Sequence, residues 1–169
     1  MEAEDLTHHL ECSALEQLGP TEEATRLLLA VLCRAADEAN EQQTEQQSGL
    51  YDLGLGDVME LVAHREAAGD ETVEMAQKAA EAVAVARGES HPHATELLLR
   101  IMCNAHPVHD KTGKQVALGL YPAGCYLNHS CMPNAVCSHL GGGRALVVRP
   151  THPIRAGEQV AGLCGVGAC

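Results

Sequence analysis

The sequence predicts an α+β protein, with helices filling the first two-thirds of the chain and short strands the last third. Three observations carry that expectation. Between Thr21 and about Ala39 apolar residues recur at helical spacing; beyond Asn104 the punctuation changes to Gly, Pro and Asn between short β-prone runs; and Gly141-Gly142-Gly143 joins two such runs as a hairpin loop would. Helices followed by strands, rather than alternating with them, is the α+β pattern.

Taken in order, Leu27, Leu28, Val31, Leu32 and Ala35 mark one face of the first of these helices, with Glu22 and Glu23 near the positive end of its dipole. Asn40 to Gly49 is polar, Gln-rich and ends in Ser-Gly, the composition of a linker. Asp57 is placed to cap a short helix carrying Val58, Leu61 and Val62, which Gly69 ends. Asp70 can cap an alanine-rich helix with Val73, Ala76, Ala80, Val83 and Ala84, stopping at Gly88. A last helix carries Leu97, Leu98, Ile101 and Met102. Lys111-Thr112-Gly113-Lys114 then reads as a turn before a strand from Gln115 to Tyr121. Ala135 to Leu140 and Arg144 to Arg149 read as a hairpin, its glycines supplying positive φ. Pro150, Pro153 and Gly157 bracket a turn before a final strand around Gln159 to Leu163.

A chain of 169 residues with 23 acidic and 11 basic side chains, net charge -12, has no basic footprint for nucleic acid, so direct DNA or RNA binding is not expected. An acidic surface can attract a basic partner such as a lysine-rich tail. There is no Trp and no Phe, and the aromatics are Tyr51, Tyr121 and Tyr126, so the core must be aliphatic. The acidic amino end has no apolar signal region and no run approaches the roughly 18 residues of a membrane span, which points to an intracellular protein of the nucleus or cytoplasm. In that compartment the eight cysteines read as thiols or metal ligands.

Residues Gly119 to Asn134 read GLYPAGCYLNHSCMPN. By residue type alone this is either a site-building loop between two turns or a polar connection with an incidental cysteine. The run resembles the GLYPxxSLLNHSCxPN stretch of SET-and-MYND (SMYD-type) protein-lysine methyltransferases, with Cys125 and Tyr126 standing at its Ser and Leu positions. Cys103-Asn104 resembles the family's CNxF segment, His64 in LVAH a helix reading LxSH, and PIRAGEQV from Pro153 to Val160 the PIxxGEEV turn. At the amino end, His8-His9-Leu10-Glu11-Cys12 resembles the HKxEC tail of a MYND zinc module.

The resemblance implies a division into residues 1–13, the tail of a MYND-type zinc module; 14–103, a helical region inserted in the SET fold; and 104–169, a truncated C-terminal SET core of short strands. It implies S-adenosyl-L-methionine as cofactor, contacted by Asn104, Asn128 and His129, and a protein lysine, as in a histone tail, as methyl acceptor. Zinc is a second implied ligand, through His8 and Cys12 and through Cys131. The sequence also departs from the pattern. The Tyr that the family carries in its last strand falls on Cys164, and neither a Gly-rich cofactor loop nor a Cys-x-Cys-x2-Cys cluster occurs in these residues. Cys164 and Cys169 are the remaining conceivable partners of Cys131. These departures give an alternative expectation, a catalytically inactive SET remnant that binds other proteins.

Overall fold

The computed structural model describes the backbone of residues 3–41 and 55–162, and the side chains of 11–36 and 55–162. The described chain folds as two units, 1–103 and 104–169. Of the 23 acidic residues, 21 precede Asn104, whereas the second unit has five basic and two acidic residues. The acidic balance of the whole chain is therefore a property of the first unit.

That first unit contains helices α1 (Ala3–Leu18), α2 (Glu23–Glu41), α3 (Leu55–Glu60), α4 (Arg65–Ala68) and α5 (Asp70–Arg87), and most of α6 (Ala94–Asn104). Helices α1, α2 and α5 pack against one another. Ala14, Ala76, Ala80 and Ala86 are buried there, and side chains this small let helix backbones approach closely. On α2, Leu28 and Leu32 of the apolar series are buried, together with Thr25, Leu29 and Cys33. Leu27, Val31 and Ala35 are half-buried, flanking that more deeply buried set on a helix that packs against both α1 and α5. Leu97, Leu98, Leu99 and Ile101 are buried on α6, but Met102 points outward at 47% exposure. Each fully buried aliphatic side chain contributes about 1.5–3 kcal/mol.

The single helix expected around Val58 to Val62 is two. His64 adopts a left-handed conformation, φ 45°, ψ 35°, between α3 and α4, and its carbonyl accepts from the N–H groups of Ala67 and Ala68 at 2.9 and 3.0 Å. Asp57 lies in the first turn of α3 instead of capping it, and Asp70 is the first residue of α5, after Gly69. Gly88 ends α5 in the left-handed conformation, its N–H bonded to the Val85 carbonyl at 3.2 Å. Arg100 ties α6 to the end of α3, donating from Nε to the Met59 carbonyl at 3.1 Å and pairing with Glu96 at 3.2 Å.

In the second unit β1 (His106–His109) and β2 (Gln115–Gly119) form an antiparallel hairpin. Asp110 closes its turn, accepting from the N–H groups of Thr112 and Lys114 at 2.8 and 3.1 Å, with Gly113 at φ 83°. A 3₁₀ turn, Pro122–Tyr126, then leads to β3 (Asn128–His129). The hairpin of β4 (Ala135–Leu140) and β5 (Ala145–Pro150) is in register from Ala135↔Pro150 to Leu140↔Ala145, around the glycine turn. Strand β6 (Ala161–Gly162) completes a second sheet in the order β3-β6-β4-β5. The last strand in sequence thus lies between two earlier ones, parallel to both.

Candidate functional site

The Asn128-His129-Ser130-Cys131 segment comprises β3 and the start of the connection that passes β6 to reach β4, so the motif is stitched to a strand more than thirty residues later. Asn128 pairs with Ala161 and His129 with Gly162. The Ser130 N–H donates to the Gly162 carbonyl at 3.0 Å, and the Asn134 N–H to the Ala161 carbonyl at 3.2 Å. The Ser130 hydroxyl accepts from the Met132 N–H at 3.1 Å, closing the turn between the two crossings.

The side chain at the far end of this loop, Asn134, is 9% exposed. Its Oδ1 accepts from the Ala161 N–H at 2.9 Å, while its Nδ2 donates to the Gln159 carbonyl at 2.8 Å and reaches Glu158 Oε1 at 3.4 Å. Glu158 in turn accepts from the Arg155 N–H at 3.0 Å. That backbone bond, followed by the Asn134 amide, holds the Glu158 carboxyl below the usual carboxylate range. Asn134 belongs to the GLYPAGCYLNHSCMPN run, but its role is not evident from residue type. The available signal was its place after Met132-Pro133, where an amide can serve backbone groups across a turn.

Of the residues expected to contact a cofactor, Asn128 is exposed and His129 half-buried. Asn104 closes α6, and its carbonyl accepts a hydrogen bond from the Cys125 thiol at 3.4 Å, three residues before Asn128. The preceding Cys103 donates its thiol to the Ala63 carbonyl at 3.3 Å, and burial pushes that thiol's pKa up. The exposed Cys131 Sγ meets His129 Nε2 at 3.5 Å, two donors where a structural zinc takes four. Among the described residues no three His, Cys, Asp or Glu side chains converge on a metal position. Cys12 is half-buried on α1, while the His8 side chain, Cys164 and Cys169 lie outside the described residues.

The hydroxyl of Tyr121, seven residues before Asn128, is committed elsewhere. It donates to the Gly143 carbonyl of the glycine turn. Its ring lies between two imidazoles, His106 of β1 at 6.0 Å and His139 of β4 at 5.6 Å. Burial raises the Tyr121 pKa, and burial followed by the charge of His139 lowers that of His106. This stack joins the two sheets of the unit through ring contacts.

Residues 16–161 match the SET domain, and the chain belongs to the SET family. Its similarity runs to the SMYD-type protein-lysine methyltransferases. It is 28% identical over 158 residues to histone-lysine N-methyltransferase SMYD3 of Mus musculus, covering 90% of this chain and 36% of that protein. It is 27% identical over 161 residues to N-lysine methyltransferase SMYD2-A of Danio rerio, covering 90% of this chain and 35% of that protein. Over a shorter stretch of 65 residues it is 35% identical to human SMYD3, covering 38% of this chain and 15% of that protein. The chain thus spans about a third of the length of the long-matching relatives.

Proposed function

We propose that this chain carries part of the cofactor site of an S-adenosyl-L-methionine-dependent protein-lysine N-methyltransferase, with Asn104, Asn128 and His129 as its cofactor-binding residues. The observation that carries the reading is the stitched motif. Pairing with β6 fixes the backbone of Asn128 and His129 while leaving Asn128 exposed and His129 half-buried. An exposed amide beside an imidazole offers both donors and acceptors, a set that suits the polar groups of an adenosine and of an amino acid. When bound, the cofactor would supply an electrophilic methyl group to the lysine nitrogen. A free lysine has a pKa of about 10.4, so the complete site must also favour the neutral amine by desolvation or a nearby cation. A basic protein segment such as a histone tail is the acceptor of choice, given the acidic helical unit. Two separate zinc sites stay proposed, one through His8 and Cys12 of a MYND-type tail spanning residues 1–13 and one through Cys131.

Calorimetry with S-adenosyl-L-methionine tests this. Saturable binding, weakened roughly tenfold by Asn128→Ala through loss of one to two hydrogen bonds, is expected. Folded protein without measurable binding refutes the cofactor reading for this chain.

A second reading, a SET remnant that binds proteins without turnover, is favoured by one further observation. Cys164 stands at the family's tyrosine position, and the Tyr121 phenol donates its hydroxyl to the Gly143 carbonyl. Cofactor binding without transfer of a labelled methyl group to histone or lysine-rich peptides would support it.

A further inference from the structure

We propose that Asn134 is the positioning residue of the motif: its side-chain amide locks β6 between β3 and β4, and through β6 sets where Asn128 and His129 stand. The cofactor consequence rests on the function proposed above; the lock itself does not.

The argument starts from strand length. Strands β3 and β6 have two residues each, and β4 meets β6 at a single pair, Ala135↔Gly162. Pairing that short is marginal without support from elsewhere. The support is Asn134, which makes side-chain and backbone bonds to the same few residues. Its Oδ1 takes the Ala161 N–H, its Nδ2 gives to the Gln159 carbonyl, its own N–H gives to the Ala161 carbonyl, and its carbonyl takes the Thr151 N–H at 2.9 Å. The amide's orientation follows from these partners, since an N–H must face oxygen and a carbonyl must face nitrogen. Buried polar groups bonded on every side fix one arrangement, and removing one partner leaves the others desolvated and unmatched. Ala161 lies directly opposite Asn128 and Gly162 opposite His129, so loosening β6 moves both.

Chemistry distinguishes this role from simple packing. Asn134→Asp keeps the shape and the acceptor for Ala161 N–H. Its ionised carboxylate cannot donate to the Gln159 carbonyl and faces Glu158; its protonated acid can donate. Glu158 also meets Arg155 through that residue's backbone N–H and His152 electrostatically. Wild-type protein measured through the same pH series accounts for them.

The experiment measures amide exchange by mass spectrometry in Asn134→Ala, Asn134→Asp and wild-type full chains, corrected for the intrinsic pH dependence of exchange. Exchange of the 158–162 and 128–131 segments should rise about tenfold or more in Asn134→Ala, with Leu97 to Ile101 of α6 unchanged. In Asn134→Asp it should be close to wild type near pH 5 and raised near pH 8. Equal exchange in all three proteins, or a rise in Asn134→Asp that ignores pH, overturns the lock, and the Asp variant decides the matter if the Ala variant does not fold. Binding of S-adenosyl-L-methionine should weaken in Asn134→Asp with the same pH dependence. Absence of binding in wild type would refute the cofactor reading while the exchange result still decides the role of Asn134.

Discussion

Gly143→Ala should be the most damaging single-methyl addition in the glycine turn, and the structure says by how much. Gly142 and Gly143 both have positive φ, 70° and 98°, so an added Cβ strains either one. Their surroundings differ. A Cβ on Gly142 meets nothing within 4 Å, whereas one on Gly143 lies 3.0 and 3.2 Å from Cγ1 and Cγ2 of Val108, itself only 3% exposed. Left-handed backbone costs a non-glycine residue about 1–2 kcal/mol, offset by about 0.4–1 kcal/mol from the stiffer unfolded chain. Gly142→Ala should therefore cost about 1 kcal/mol. Gly143→Ala adds an overpacking penalty of about 1–3 kcal/mol against a buried, β-branched neighbour, giving about 3 kcal/mol in all. Tyr121 compounds the effect, because its hydroxyl bonds the carbonyl of the residue being displaced. Urea unfolding followed by tyrosine fluorescence in a Tyr51→Phe background reads the second unit, which holds Tyr121 and Tyr126. A double-mutant cycle with Val108→Ala should recover most of the gap between the two variants. Equal destabilisation by Gly142→Ala and Gly143→Ala would refute the steric argument.

Two further outcomes follow from burial and charge. Burial and then His139 lower the His106 pKa, so the unfolded state binds a proton more readily. Its contribution is intact above about pH 6.5 and is lost as pH falls below that value towards the folded pKa. His106→Gln should flatten this acid limb in urea titrations at pH 5 and pH 8, and an unchanged slope would exclude His106 as its source. On α6, Ile101→Ala should cost about 2–5 kcal/mol and its neighbour Met102→Ala less than about 0.5, because Ile101 is fully buried and Met102 is 47% exposed. Similar losses for the two, by thermal or urea unfolding, would mean the assigned face of α6 is wrong.

Local patterns carried far in this chain. The hairpin of β4 and β5 was legible because its runs, its glycine turn and its register all lie within sixteen residues. The helix ending at Gly88 was legible for a similar reason, a glycine in the left-handed conformation that suits a helix end. The helix α2 was legible from its apolar spacing, whereas which of its residues are most deeply buried depends on its packing against both α1 and α5. The split between α3 and α4 falls at His64, whose left-handed conformation a single histidine in an apolar run does not announce, since most histidines stay at negative φ. In the site, the motif could be read from its residues but the role of Asn134 could not, because its partners are 24 to 27 residues away.

By itself the sequence determined the α+β composition, the glycine hairpin and a motif whose resemblance to SMYD-type methyltransferases the family match upholds. Periodicity, turn chemistry and side-chain type are local quantities, and they survive without coordinates. Only the tertiary structure decided that β6 lies between β3 and β4, that Asn134 fastens it there, and that Tyr121 spends its hydroxyl on Gly143. A two-residue strand has no periodicity to read, and its place is chosen by hydrogen bonds to distant backbone that exist only once the chain has closed on itself.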